Sequence, residues 1–208
     1  MPNFDPDQPA GMPLETWRRQ EERLPQEGTV LLATFDDQTI VVYQAFRRSI
    51  AQEAVDGQRF GAQFSLTRMS WIKPGFLWMM HRSGWASKED QERVLAVRVR
   101  RDAFDRWLAG GVASSFDGTC FPDSDAWKAA VGRSSVRVQW DPDHDPFGKP
   151  LARRAVQIGL RGPALIEYSS AAIVVIEDIT AFVHDQHHIV AHRPDDLVVP
   201  RQELYPRA

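Results

Sequence analysis

Apolar positions along this chain change their spacing several times, and the changes outline its elements. Val30–Phe35 and Ile40–Phe46 are β-branched and aromatic runs separated by Asp36-Asp37-Gln38, a hairpin or tight-turn signal. The second run passes directly into helical spacing over Arg47–Val55, where Ile50, Ala51, Ala54 and Val55 are the apolar positions and Gly57 is placed to end the helix. A short strand is expected at Gln63–Thr67. Pro74 then stands where the first turn of a helix accepts it, and Ser83-Gly84 supply a stop, so Arg68–Glu92 reads as loop, helix, loop. Val94–Arg100 alternates with period two and predicts a strand. Asp102 is placed to cap a helix that ends at Gly110-Gly111, and a short helix is expected over Asp123–Val131. Val136–Trp140, Ala155–Leu160 and Ile173–Ile176 are further strands, with a helix between the last two and a final helix from about Thr180 to Ala191.

Short strands mixed irregularly with helices predict an α+β fold: one domain with a mixed, largely antiparallel sheet and flanking helices. Residues 1–27 are rich in Pro, Asp, Glu and Gln, with a short possible helix over Leu14–Arg23, and read as a partly mobile extension to a domain spanning 28–208. A chain of 208 residues with 43% apolar content suits that single core.

Charge and cysteine usage narrow the chemistry. A net charge of −3 argues against a protein that coats nucleic acid nonspecifically, while leaving room for a local basic groove. Cys120 is the only cysteine, so neither an intrachain disulfide nor a cysteine-based zinc site is expected, and a reducing, cytoplasmic setting fits. The first residues carry Asp5, Asp7 and prolines instead of a basic apolar leader, and no run approaches about 18 apolar residues, so neither secretion nor membrane insertion is expected. Neither of the two common glycine-rich phosphate loops occurs.

The densest chemistry lies in Arg68–Glu92. Trp71, Trp78 and Trp85 recur every seven residues, interleaved with Arg68, Lys73, Arg82 and Lys88, a pairing of flat apolar faces with cations that suits an anionic, ring-bearing ligand. Phe76 to Met80 read as a buried helix within that unit. Gln91-Glu92 precedes a strand, where one fixed carboxylate can stabilise a developing cation or simply face solvent. Tyr43-Gln44 lies near the end of a strand that feeds a helix, a frequent place for ligand contacts. Asp141-Pro-Asp143-His144-Asp145 departs from a calcium loop in its sixth and twelfth positions and reads as a turn, with Asp141 free to anchor an arginine. His184, His188 and His192 recur every four residues as a polar stripe, and no metal is expected.

Together, VYQAF at 42–46, RMSWIKPGFLWMMHRSGWASK at 68–88, QERVLAV at 91–97, VRVQWDPDHD at 136–145 and AVQIGL at 155–160 resemble the domain of unknown function 4291 family, over Leu31 to Tyr205. Gly75 and His81 depart from the serine and tyrosine expected there. The order of elements is also similar to that of ADP-ribosyltransferases. That second resemblance implies an NAD-consuming enzyme in which Tyr43 or Gln44 holds the ribose, Arg68 and Lys73 the diphosphate, Trp71 stacks, and Glu92, beside Gln91, is catalytic. Gln44 replaces the usual histidine or arginine, and Gln91-Glu92 is adjacent instead of spaced. The acceptor would be a nucleic acid, a protein or a small molecule. The alternatives are a nonenzymatic nucleotide- or RNA-binding module, in which Trp71 and Trp85 stack on bases and Arg68, Lys73 and Arg82 meet phosphates, and a protein-interaction domain using the aromatic segment as a docking surface.

Overall fold

Two apolar, strand-forming runs form the centre of the molecule. In the computed structural model, which describes residues 11–206, β4 (Thr39–Phe46) and β6 (Arg93–Arg100) pair antiparallel from Thr39 opposite Arg100 to Phe46 opposite Arg93. β10 (Ile173–Asp178) adds antiparallel to the far side of β6, giving the order β10-β6-β4. Both faces of this sheet are covered, which is why β4 reads as an unbroken apolar run instead of an alternation. On one face Ile40, Val42, Leu95 and Val97 meet α2 (Arg48–Gly57), α4 (Arg101–Ala109) and α6 (Gly162–Ser169). On the other, Val41, Tyr43, Val94 and Ala96 meet α3 (Phe76–Ser83) and α7 (Thr180–His192). Phe76, Leu77, Trp78, Met79 and Met80 are all buried, as the five-residue apolar run predicts.

A second, mixed sheet packs on the first core. β8 (Val136–His144) and β9 (Pro150–Leu160) form its long hairpin, with β7 (Val112–Ala113) parallel to β8, and with β2 (Gly28–Thr29, parallel) and β5 (Ser70–Ile72, antiparallel) on the outer side of β9. α5 (Ser124–Arg133) follows β7, its first turn held by the Asp123 carboxylate accepting from the Ala126 amide at 2.7 Å. The chain is thus a single α+β domain with mixed and antiparallel sheets.

Several expectations need correction. Gln63–Thr67 is a loop, because the Glu53 carboxylate of α2 takes the Ala62 and Gln63 amides, each at 3.1 Å, and withholds them from any strand ladder. The strand lies later, at β5. Asp141–His144 continues β8, and the turn comes at Asp145, whose side chain accepts from the Phe147 and Lys149 amides at 2.9 and 2.8 Å. Val30–Phe35 is broken: β3 (Leu32–Ala33) pairs with β12 (Glu203–Leu204), and Phe35 makes an isolated antiparallel bridge to Ile40 across the Asp36–Gln38 turn. The cap expected of Asp102 is absent, since α4 starts one residue earlier and Asp102 pairs with Arg106 at 2.7 Å.

Residues 1–10 lie outside the described residues, but residues 11–27 are docked instead of trailing. β1 (Leu14–Thr16) pairs with β11 (Val198–Pro200), and Met12 is fully buried. α1 (Trp17–Arg23) is fastened to the long hairpin by Arg153, which is 3% exposed and meets Glu21 and Asp143, each at 2.7 Å. α2 is closed by Gln58, not Gly57, in a left-handed conformation with φ 49°. The Gln58 side chain accepts from the Ile176 amide at 2.8 Å and donates to the Ile176 carbonyl at 2.9 Å, clasping the outer edge of β10.

Candidate functional site

The two sheets touch at one rung and then part. Tyr43 of β4 and Lys73, just past β5, exchange backbone hydrogen bonds at 2.7 and 3.3 Å. One residue further along β4 the strands have diverged, and the side chain of Gln44 spans the gap. Its Nε2 donates to Ser70 Oγ at 2.8 Å and to the Trp71 carbonyl at 3.0 Å, while its Oε1 accepts from the Tyr168 hydroxyl at 2.7 Å. Beyond this bracket opens a cleft of about 670 Å³, within the range typical of small-ligand sites.

The cleft is built from six pieces of chain. Phe46, Arg47 and Ile50 come from the β4–α2 junction; Gln63, Phe64 and Ser65 from the loop pinned by Glu53; Arg68 to Trp71 from the segment entering β5; Met79 and Arg82 from α3; and Asp90, Gln91 and Gln157 from its rim and floor. Gly159 on β9 lies opposite Trp71, and a Cβ there would stand 3.1 Å from the indole and 2.6 Å from the Met69 sulfur. The bare backbone is what lets the partly exposed indole lie against β9.

Charge is concentrated here out of proportion to a chain of net −3. Arg47, Arg68, Lys73 and Arg82 line the cleft against one carboxylate among the described lining residues, Asp90. None of the four cations has an ion pair or a side-chain hydrogen bond among the described residues, whereas Arg93, Arg98, Arg101, Arg106 and Arg153 are all answered by carboxylates. Lys73 is the most unusual, at 4% exposure with Nζ 4.8 Å above the Trp78 ring. Burial, then repulsion from Arg82, brings its ammonium down to about 8, with Asp141 pulling weakly the other way. Asp141 does not anchor an arginine as expected: its carboxylate accepts from the amides of Gln139 and Gln157 at 2.8 and 2.7 Å. Asp143 holds the arginine instead.

Gln44, Arg68, Trp71, Lys73, Arg82 and Gln91 are therefore brought together. Tyr43 and Glu92 are not. Tyr43 faces the opposite core, fully buried, with its hydroxyl 3.2 Å from the Met12 sulfur and its ring edge-on to Phe76, and burial pushes its phenol far above the usual range. It cannot hold a ribose in this cleft. The Glu92 carboxylate is exposed and accepts from the Asp90 amide at 2.9 Å, outside the lining. Gln44 lines the cleft with both ends of its amide already engaged, so it braces the site. Trp78 and Trp85 are interior.

The rim owes its course to a left-handed turn. Gly84, Trp85 and Ala86 have φ of 59°, 55° and 63°, and the Ser87 amide closes on the Ser83 carbonyl at 3.2 Å. Such a conformation costs roughly 1–2 kcal/mol for each residue other than glycine. Burial of Trp85, edge-on to Phe76 and stacked on His187 at 5.5 Å, offsets it.

Arg47, Gln63, Met69, Gln157 and Gly159 are site residues that sequence reasoning passed over. Gln157 carried a signal, being the one polar side chain in the otherwise apolar run Ala155–Leu160. His184, His188 and His192 are exposed, and among the described residues no group of three or more His, Cys, Asp or Glu is arranged to hold a metal ion.

A family model described as Domain of unknown function (DUF4291) matches residues 30–205. No curated protein matches the chain.

Proposed function

This chain belongs to the DUF4291 family, and on that footing we propose that the cleft between β4 and β5 binds a phosphorylated, ring-bearing ligand of the nucleotide class. The observation that carries this reading is the set of four cations without an ion pair among the described residues, around a concave site whose wall is a partly exposed indole. Phosphate oxygens meet Arg68, Arg82 and Lys73, and a base or other flat ring lies on Trp71. A volume of about 670 Å³ suits one ligand better than a long strand. A docking-surface role draws less support, because Trp78 and Trp85 are interior.

The reaction reading is ADP-ribosyl transfer from NAD. It is favoured by Gln91 on the rim beside Glu92, and by the match between the diphosphate and rings of NAD and the cations and indole of the cleft. It requires Glu92 to leave the Asp90 amide and turn inward, about a turn in which Asp90 already holds φ 60°.

The test is titration of tryptophan fluorescence with NAD, ATP, pyrophosphate and a short RNA, with free nicotinamide assayed in the same samples. Trp71→Ala is expected to weaken ATP and NAD by about 1–3 kcal/mol and to leave pyrophosphate unchanged. Binding that ignores both ionic strength and this substitution refutes the cleft. Nicotinamide release abolished by Glu92→Gln establishes the transferase; binding without release leaves a nucleotide-binding module.

A further inference from the structure

We propose that Lys73 is a reactive amine that condenses with an aldehyde or ketone carried by a phosphorylated ligand, forming a reversible imine at the floor of the cleft. The inference rests on the phosphate-binding reading above and adds a covalent step to it.

A lysine that only neutralises phosphate does best exposed, flexible and charged. Lys73 is buried, and it holds its proton less firmly than an ordinary lysine. Its backbone is fixed on both sides, by the rung to Tyr43 and by Pro74, which is itself buried. Its three potential donors make no hydrogen bond among the described residues, and its Nζ faces an aromatic ring instead of a carboxylate. The acid that acts on it, Asp141, forms no ion pair with it and already accepts from two amides. Arg82 faces it from α3, with Arg47 and Arg68 elsewhere on the wall and Asp90 on the rim. Desolvation and a neighbouring cation are the two conditions that leave a lysine unprotonated and nucleophilic near neutral pH, and they account for its position near 8. Three arginines remain to hold the phosphate, so the amine is not needed for charge alone.

The step balances without any further reactant. The ammonium releases a proton to solvent, and the Nζ lone pair attacks the carbonyl carbon as the C=O π pair moves to oxygen, which takes up a proton. The carbinolamine then loses its hydroxyl as water while a C=N bond forms, and hydrolysis reverses the sequence.

Pyridoxal 5′-phosphate is the probe, since it combines a phosphate, a flat ring and an aldehyde. The full chain is mixed with it from about pH 6 to 10, reduced with borohydride, and mapped by peptide mass; the chain's lysines are Lys73, Lys88, Lys128 and Lys149. The expected result is adduct on Lys73 at least about tenfold faster than on the other three, suppressed by pyrophosphate, with a rate that levels off above a pH of about 8. Lys73→Arg should lose the adduct. Labelling spread over Lys88, Lys128 and Lys149 while pyrophosphate still binds overturns the inference alone. So does a Lys73 rate that keeps climbing toward the ordinary lysine range near about 10.4. Absence of both labelling and pyrophosphate binding overturns the cleft itself.

Discussion

Arg153 and Lys73 are both buried cations, at 3% and 4% exposure, and the molecule treats them in opposite ways. Arg153 is answered by two carboxylates, Glu21 and Asp143, through bonds of 2.7 Å that tie α1 to the long hairpin. Lys73 is answered by an indole face and open cleft. A buried charge with good partners is an element of construction, while one left without them imposes a cost on the fold that an incoming anion or carbonyl can relieve.

The largest effect expected from breaking this contrast is Arg153→Ala. It strands Glu21 and Asp143 in each other's field and should lower unfolding stability by about 3–5 kcal/mol in urea titration, with little change in pyrophosphate affinity for any protein that remains folded. An almost neutral result would mean that the fastening is decorative and that the two cations do not differ as described.

Lys73→Met should have the opposite sign. The folded ammonium gives up its proton near 8, while the unfolded side chain keeps its own until about 10.4. Below the first value both states are protonated and the folded protein bears the full burial penalty; between the two, the unfolded state binds more protons, so stability of the parent rises with pH. The variant is therefore expected to exceed the parent by about 3 kcal/mol at neutral pH, with the gap closing as pH climbs past 10, while pyrophosphate affinity falls. Thermal unfolding at several pH values decides it, and a variant less stable than the parent at neutral pH would show that Lys73 is structural after all.

Gly159→Ala sharpens the picture on the aromatic side. Its methyl group must displace Trp71 and Met69, at a cost of about 1–3 kcal/mol in stability. It should also reproduce the ATP defect of Trp71→Ala while sparing pyrophosphate.

Much of this was legible in the chain. Period-two alternation marked β6, and the apolar run Phe76–Met80 marked α3 as interior, because local spacing reports which face is buried. Cations interleaved with indoles marked Arg68, Trp71, Lys73 and Arg82 as neighbours of a cleft. What could not be read was direction. Tyr43 and Gln44 are adjacent on a strand, so their side chains must point to opposite faces, and only the packing of both faces decides which one meets the site. The direction of Glu92 was hidden for a similar reason, since its backbone stands near the rim while its side chain turns back to Asp90. Gly159 was invisible because its function is an absence, the room it leaves for a residue almost ninety positions earlier.

The clasp of Gln58 on Ile176 bears on how copies of this protein live together in a crowded solution. A strand at the border of a sheet is a template on which another molecule can grow. Here the amide of one side chain occupies the donor and acceptor at the middle of β10, in the manner of a neighbouring strand one residue long. Colloidal stability at that border thus hangs on a residue with no part in ligand chemistry. Gln58→Ala would first make itself known as turbidity on concentration.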